Sequence, residues 1–425
     1  MALKYKMSAV SSLEMVRPGE CEDLYYYDAA TSVKQCFPTT QNTKYVQQFA
    51  NLTGGSSVFT IPPQNGIQDV VLSFQMAQFT ASTDSSIALP GGWGYALIKQ
   101  VSFRYGGSSQ YFLSGDQIFQ NAIRRQTSRS SVDDLVNLGG LFSLNSATAG
   151  AWGAAAQNAY VVLTLPHNIP SGVGKAHPFP TDLLTQQVQI TVELYSPASI
   201  VAVATGGATT PTAANVALTA ANFQVQQVML NNQGDALARR VDMSQNAYAY
   251  PCEFVQQVQR INLTNTANVQ PVVLTGFRSG EVKAIHCWLT NSADTSSNPL
   301  KWYPISNIQM LYAGDVYARY DNGVSQLFNL INGNKTSAFA NTTLTSGGGT
   351  FSQAAGLSYW VELPFAQTFV DEDAHHTLVH GRSITNGIVN LQIQTPTAAA
   401  TWVLNVSYVY GSTILMSQGT ADFVF

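Results

Sequence analysis

The sequence predicts an all-β fold made of two tandem copies of one antiparallel unit, with short helices in the loops. First, the text repeats. Tyr45-Val46-Gln47-Gln48 recurs 209 residues on as Phe254-Val255-Gln256-Gln257, and Trp93 recurs as Trp302 at the same offset. Tyr105-Gly106-Gly107 recurs as Tyr312-Ala313-Gly314 at offset 207, and Leu165-Pro166 as Leu363-Pro364 at offset 198. The matches keep their order, and the offset drifts slowly, as loop insertions make it drift. So long a period excludes solenoids, whose repeats run ~20–50 residues. Second, from Tyr45 onward short β-branched and aromatic segments alternate with turn residues, the pattern of a sandwich or barrel. Third, each copy places a helix-like stretch at the same point, after its Tyr-x-Gly strand.

Residues 1–44 read as an N-terminal arm, with mixed charge, no steady period and an aromatic run at Tyr25-Tyr26-Tyr27. The first copy spans 45–235. Its strand Ser57–Ile61 stops at Pro62-Pro63, which cannot donate to a ladder. Val70–Phe74 follows a Gln64-Asn65-Gly66 turn. Ala96–Tyr105 alternates Leu97, Lys99, Val101, Phe103 and Tyr105 against Ile98, Gln100, Ser102 and Arg104. Tyr160–Leu165, Val188–Leu194 and Phe223–Leu230 complete the strong strands. Between them, 114–127 is the one convincing helix: Ser114 or Asp116 can cap it, and Ile118, Phe119, Ala122 and Ile123 share a face.

The second copy spans 236–425, after a linker at Asn231–Tyr250. Its strands are Val272–Phe277, Val282–Leu289, Ile305–Tyr312, Tyr359–Leu363, Ile388–Gln394 and Trp402–Tyr410. Val324, Leu327, Phe328 and Ile331 form the counterpart helix. Inserts at 143–156, 205–221 and 342–356 are rich in Ala, Gly, Ser and Thr, and loops of that length usually carry function or contacts.

Composition argues for a protein covered by neighbours. Charged residues make up 10 % of the chain, against ~25 % in an ordinary soluble domain, and interfaces are depleted in Lys, Glu and Asp. A secreted, Ser/Thr-rich β-protein would share this composition. The net charge of −4 supplies no drive towards nucleic acid. The basic group Arg124, Arg125 and Arg129 is followed by Asp133 and Asp134, which reads as a solvated helix end. No apolar run reaches 18 residues, and residues 1–20 lack the apolar core of a secretory leader. Cys21, Cys36, Cys252 and Cys287 are too scattered for a disulfide scaffold. Cys21 and Cys36 can pair, but idle thiols in a reducing compartment are the expectation. The sequons at Asn51, Asn262, Asn334, Asn341 and Asn405 then follow from Asn/Thr-rich composition alone.

About eight strands per copy without βαβ alternation fit a two-sheet antiparallel jelly roll. An immunoglobulin-like sandwich needs only ~100 residues. Two tandem jelly rolls of this size, with strand text such as GGSSVFTIPPQNGIQDVVLSFQM and NPLKWYPISNIQMLYAGDVYARYDNGVSQLFNLING, resemble the double jelly-roll major capsid proteins of tailless icosahedral double-stranded DNA viruses. The lineage includes adenoviruses, membrane-containing phages, nucleocytoplasmic large DNA viruses and virophages. The resemblance implies a homotrimer of pseudo-hexagonal outline, since three chains of two similar units present six similar sides. It also implies a virion location after assembly in the host cytoplasm or nucleus. The implied partners are the chain itself, neighbouring capsomers, and penton and minor capsid proteins, without sequence-specific nucleic acid. The three inserts become candidate outward towers or inter-subunit loops. The 1–44 arm becomes a candidate for contacts with neighbouring capsomers or an internal membrane.

No catalytic residue and no cofactor is expected. The densest polar cluster is Asp371-Glu372-Asp373 with His375, His376 and His380. Asp371, Asp373 and the three histidines are weak candidate metal ligands, because adjacent histidines on a strand face opposite sides and no H-x-H or H-E-x-x-H spacing occurs. The missing H-x-H also argues against a bicupin enzyme. Gly91-Gly92-Trp93-Gly94 and Gly347-Gly348-Gly349 lack the Lys and the strand-to-helix setting of a phosphate loop. There is no G-x-S-x-G elbow, and Glu281 and Glu362 are isolated carboxylates rather than a glycosidase dyad. The chain's six tryptophans suit either sugar platforms or packing, and the Trp93/Trp302 equivalence favours packing. The alternative function is therefore a secreted, lectin-like carbohydrate-binding β-sandwich.

Overall fold

A computed structural model describes residues 45–63, 66–79, 87–107, 109–124, 129–146, 151–167, 179–203, 211–213, 215–228, 247–264, 269–277, 281–292, 298–303, 305–321, 343–346, 349–352, 360–365, 382–384, 388–395 and 401–424. The first eight principal strands are β1 (Tyr45–Gln48), β2 (Gly55–Ile61), β3 (Gly66–Met76), β4 (Ile98–Tyr105), β5 (Tyr111–Ser114), β6 (Gln157–Leu163), β7 (Val188–Leu194) and β8 (Leu218–Val228). Two helices, α1 (Gly115–Arg124) and α2 (Arg129–Leu138), lie between β5 and β6. The next eight are β9 (Tyr248–Val255), β10 (Gln270–Leu274), β11 (Glu281–Asn291), β12 (Asn307–Tyr312), β13 (Asp315–Asp321), β14 (Val361–Pro364), β15 (Val389–Gln394) and β16 (Trp402–Ser417). A further strand, β17 (Thr420–Val424), folds back on β16.

The pairing makes the duplication physical. The first half forms sheets ordered β1-β8-β3-β6 and β2-β7-β4-β5, and the second forms β9-β16-β11-β14 and β10-β15-β12-β13, the same order eight strands later. Every pairing is antiparallel. This order, with first strand beside last in one sheet and second beside seventh in the other, defines a jelly roll. Register confirms two of the sequence matches. Tyr45 pairs with Val225, which pairs with Val70; Phe254 pairs with Tyr410, which pairs with Val282. Tyr105 and Tyr312 sit opposite Val188 and Val389, the first residues of β7 and β15. The Leu-Pro match slips. Leu363 lies beside Ile285 and Tyr408, and the corresponding row of the first half is Val161, Leu72 and Phe223. Leu363 therefore corresponds to Val161, four residues before Leu165.

Within the first half, inward residues of both sheets interdigitate. Phe59 of β2 stacks on Phe223 of β8 with ring centroids 4.2 Å apart, and Phe49 packs edge-on against Phe59 at 4.7 Å. The second core gathers Ile285, Leu289, Met310, Leu391, Leu404 and Tyr408, all fully buried. One expected alternation fails. A bulge in β4 lets Leu194 pair with Ile98 directly after Glu193 pairs with Gln100. Ile98 therefore turns inward and Lys99 outward, where its Nζ meets Glu193 at 2.6 Å. The residues before it, Trp93–Ala96, form a helical turn rather than the start of the strand.

Two further expectations change. A second helix, α2, follows α1; its low-propensity Ser and Asp residues hide it from a periodicity test, while its own Leu135 is buried. Arg124 thus ends one helix and Arg129 begins another. The 143–156 insert, a candidate tower, is tied to its own half in its described parts. Ser143–Leu144 pairs with Ala88–Leu89, and Trp152 is fully buried with its indole N–H donating to the Ala77 carbonyl at 2.7 Å. Gly91–Gly94 is a turn for a steric reason. Gly94 N–H donates to Gly139 O at 2.8 Å, and a Cβ on Gly94 would lie 2.8 Å from Ala159 Cβ. The counterpart helix around Val324–Ile331 lies outside the described residues.

Removing the Phe223 ring takes out the partner of Phe59 and leaves a cavity between the sheets. Phe223→Ala is expected to lower the unfolding free energy by about 3–5 kcal/mol, read from the denaturant midpoint at unchanged slope.

Candidate assembly interface

Large side chains are also buried between the two halves, among them Phe119, Trp302 and Trp288, and the sheet sequences explain why. In β3 buried and half-buried residues alternate, as in a sheet with one wet face. In β11, every residue from Val282 to Leu289 is buried, and β16 is buried without a break from Trp402 to Tyr410. Near-continuous burial of this kind marks a sheet covered on both faces. Val282, Ile285, Cys287 and Leu289 serve the second core, whereas Ala284, Trp288 and Val409 join the core cluster of the first half.

The cover is α1 together with the β4–β5 edge. Ile118, Phe119, Ala122 and Ile123 are buried as expected, but so are Gln117, Gln120 and Asn121, so the helix is enclosed on all sides. Phe119 packs edge-on against Tyr95 at 5.2 Å on its own side and against Trp302 of the second half at 6.2 Å. Trp302 in turn meets Trp288 at 5.8 Å. Gln117 donates from its side-chain amide to the Gln256 carbonyl at 2.7 Å. Tyr111 of β5 packs on Phe254 at 5.3 Å, and its hydroxyl accepts the Val255 N–H at 3.0 Å.

A strap completes the junction. β16 runs on beyond its own core, and its end returns as β17, so that Ile414, Met416, Ala421 and Phe423 pack into the first half. Phe423 lies 5.4 Å from Tyr105 and 5.8 Å from Tyr111. The Asp422 carboxylate accepts both the N–H and the hydroxyl of Ser109 at 3.1 Å, and the Ser109 hydroxyl accepts the Phe423 N–H at 2.8 Å. Thr185 donates its N–H to Gly419 O at 2.8 Å. Gly107 is required here, because a Cβ on it would sit 2.1 Å from the Asp422 carboxylate.

Polar pairs sit beneath this junction. Lys283 Nζ meets Glu253 Oε1 at 3.3 Å, and His286 Nε2 meets Glu362 Oε2 at 3.0 Å with Trp360 edge-on to the imidazole at 4.6 Å. Both pairs join strands of the second half's own sheet; buried pairs of this kind add little net stability, but removing one member leaves an uncompensated group. Burial also pushes the Cys252 thiol up to about 12 and the Cys287 thiol up further. Asp116, at the start of α1, is raised from the usual carboxylate range by burial, against the opposing bonds from Ser114 and from the Gln117 N–H.

The sequence pointed at few of these groups. Glu362, read as isolated, pairs with His286. Trp288 and Trp302 were expected to pack in a core rather than between the halves, and Lys283 and the strap had no assigned role, although the run VKAIHCWL, apolar at six of eight positions, was a legible sign of two-sided burial. Asp371, Asp373, His375, His376 and His380 lie outside the described residues, as do Arg125, Cys21, Cys36 and the 1–44 arm. Among the described residues no group of three or more His, Cys, Asp or Glu is placed to hold a metal, and no helix is long and apolar enough to cross a membrane. All six tryptophans are buried, which removes them as sugar platforms. Asn405 is buried with its amide donating to Thr290 Oγ1 at 2.9 Å, so this sequon is closed in the folded chain.

Two outcomes follow from this geometry. Asp422→Ala strips the Ser109 N–H of its partner and should cost about 1–3 kcal/mol, measured by denaturant unfolding, with Ser109→Ala adding less than its single-variant effect. The Cys252 thiol holds its proton more tightly folded than unfolded. Its contribution is therefore full below the unfolded value near 9 and lost as pH rises towards 12. Between pH 8 and 10.5 the wild type should lose about 2 kcal/mol more stability than Cys252→Ala.

No family model matches the sequence, and no curated protein matches it. Solved structures do. A quasi-atomic model of the PBCV-1 virus capsid aligns with TM-score 0.59 at 13% identity, over 90% of this chain and 96% of that one. The Sputnik virophage structure from cryo-electron microscopy aligns at 0.58 and 12% identity, over 99% of this chain and 95% of that one. The mavirus major capsid protein aligns at 0.50 and 12% identity, over 96% and 97%. Identity this low speaks for architecture, and over nearly its full length the chain has the double jelly-roll fold of viral major capsid proteins.

Proposed function

We propose that this chain is a viral major capsid protein, a structural building block without catalysis. It assembles as a pseudo-hexagonal homotrimer, and these capsomers tile an icosahedral shell around double-stranded DNA. The observation that carries the proposal is the repeated strand order in two halves joined head to tail, together with a surface in which charged residues are scarce. One chain with two similar but distinguishable halves supplies, as a trimer, six comparable sides for a flat facet. We divide the chain accordingly into an arm at 1–44, a first jelly roll at 45–235 and a second at 236–425. The partners of this reading are neighbouring capsomers, penton and minor capsid proteins, and an internal membrane reached by the arm. The location is the virion. Nothing sequence-specific in nucleic acid is required. The lectin alternative loses its main support with the burial of every tryptophan.

Light scattering of the purified full-length chain should give a mass near three times 45.8 kDa, and negative-stain images should show hexagonal outlines. A lone monomer at all concentrations, or a mass shift on adding sugar, would overturn the proposal.

A further inference from the structure

We infer that the junction between the two halves contains a binding site for one water molecule, which bridges Thr164 and Asn121 of the first half to Glu253 of the second. The inference concerns how a single chain closes on itself and is independent of the capsomer reading.

The site is a cavity of about 10 Å³ where α1, the residues just after β6, and β9 meet. Leu113, Leu165 and Val255 form apolar walls, and all three are buried. Asn121, Thr164 and Glu253 bring polar side chains, one from each of the three converging segments. One water needs roughly this much free volume, and it settles where about two to four polar groups converge. A purely apolar cavity of the same size stays dry; this one has three polar groups in its lining.

Thr164 is the second observation. It is 6% exposed, and its Oγ1 is buried without a hydrogen-bond partner in the protein. A buried hydroxyl left alone keeps the full cost of its lost hydration, and native proteins rarely leave one so. The groups around it are engaged elsewhere. Glu253 N–H donates to the Pro166 carbonyl at 3.1 Å, Val255 N–H donates to the Tyr111 hydroxyl at 3.0 Å, and Glu253 Oε1 meets Lys283 Nζ at 3.3 Å. These bonds fix the walls, and none of them reaches Thr164. An ionised carboxylate only accepts, whereas a hydroxyl and an amide both donate and accept. The water therefore donates to Glu253, accepts from the Thr164 hydroxyl and completes its bonds at the Asn121 amide. The site also gives Leu165-Pro166 a place in the fold: this repeated text, out of register with Leu363-Pro364, forms the wall that meets β9.

The test uses the full-length chain at one fixed concentration. Thr164→Val keeps the side chain's shape and removes its hydroxyl. With the water in place, the substitution takes away a satisfied hydrogen bond, and the unfolding equilibrium constant should rise about five- to tenfold, read from the denaturant midpoint. With no water there, the substitution removes an orphaned hydroxyl and the sign reverses. A variant as stable as the wild type, or more stable, therefore overturns the inference. Crystallographic density supplies the second readout. At a resolution that shows ordered solvent, the wild type should show one peak within hydrogen-bond distance of both Thr164 Oγ1 and the Glu253 carboxylate, and Thr164→Val should lose it. A site without that peak, or a peak that touches only one half, overturns the inference whatever the stability result. If Thr164→Val does not fold, the wild-type density alone decides.

Discussion

The burial of the second half's β9-β16-β11-β14 sheet on both faces is the constraint on which the rest of the molecule depends. A jelly roll needs only its inner faces dry. This sheet has Trp288, Ala284, Val409 and Val255 on its outer face, and exposing them to water would forfeit roughly 1.5–3 kcal/mol for each large side chain. Helix α1 and the β5 edge supply the missing layer. The two halves are therefore one packed body across that junction, rather than two beads on a linker. The hydrogen bonds that cross the junction, Gln117 to the Gln256 carbonyl and the Val255 N–H to the Tyr111 hydroxyl, then restrict how the layer can seat, since a shifted position would strand a polar group in a dry site.

The duplication is faithful in topology and unfaithful in surface. Both halves keep the same strand order, and Trp93 and Trp302 stay fully buried. Yet β16 is longer than β8 and turns back as a strap, and the outward face that carries buried Val255, Val409, Ala284 and Trp288 in the second half is Gln-, Asn- and Ser-rich in the first. The difference has a direct physical origin. A face buried within one chain is covered as the chain folds and can be as apolar as a core. A face left open to solvent must stay soluble, and uncharged hydrogen-bonding side chains with a few half-exposed apolar ones meet that need.

Glycines mark where backbone must touch backbone or a partner's side chain. Gly94 lies on the α2 end and Gly107 against Asp422 of the strap. The Gly91–Gly94 stretch that superficially suggests a phosphate loop is thus a packing device, and the buried tryptophans are struts of the cores and of the junction.

The all-β class, the tandem copy, the span of β2, β4 and β7, the helix α1 and its buried face were legible in the sequence, because alternation, proline stops and helical spacing are local signals. So was the register of Tyr45 with Phe254 and of Tyr105 with Tyr312, where repeated text reflects repeated rows. The β4 bulge that turns Lys99 outward, the slip of Leu-Pro by four residues, the helix α2 and the inward anchoring of Trp152 were not. Each depends on what a partner strand or a distant backbone demands. Which face of a sheet is covered, and by what, belongs to the tertiary structure alone. Local sequence sets how apolar a face is, while only the folded chain decides whether its own other half covers that face.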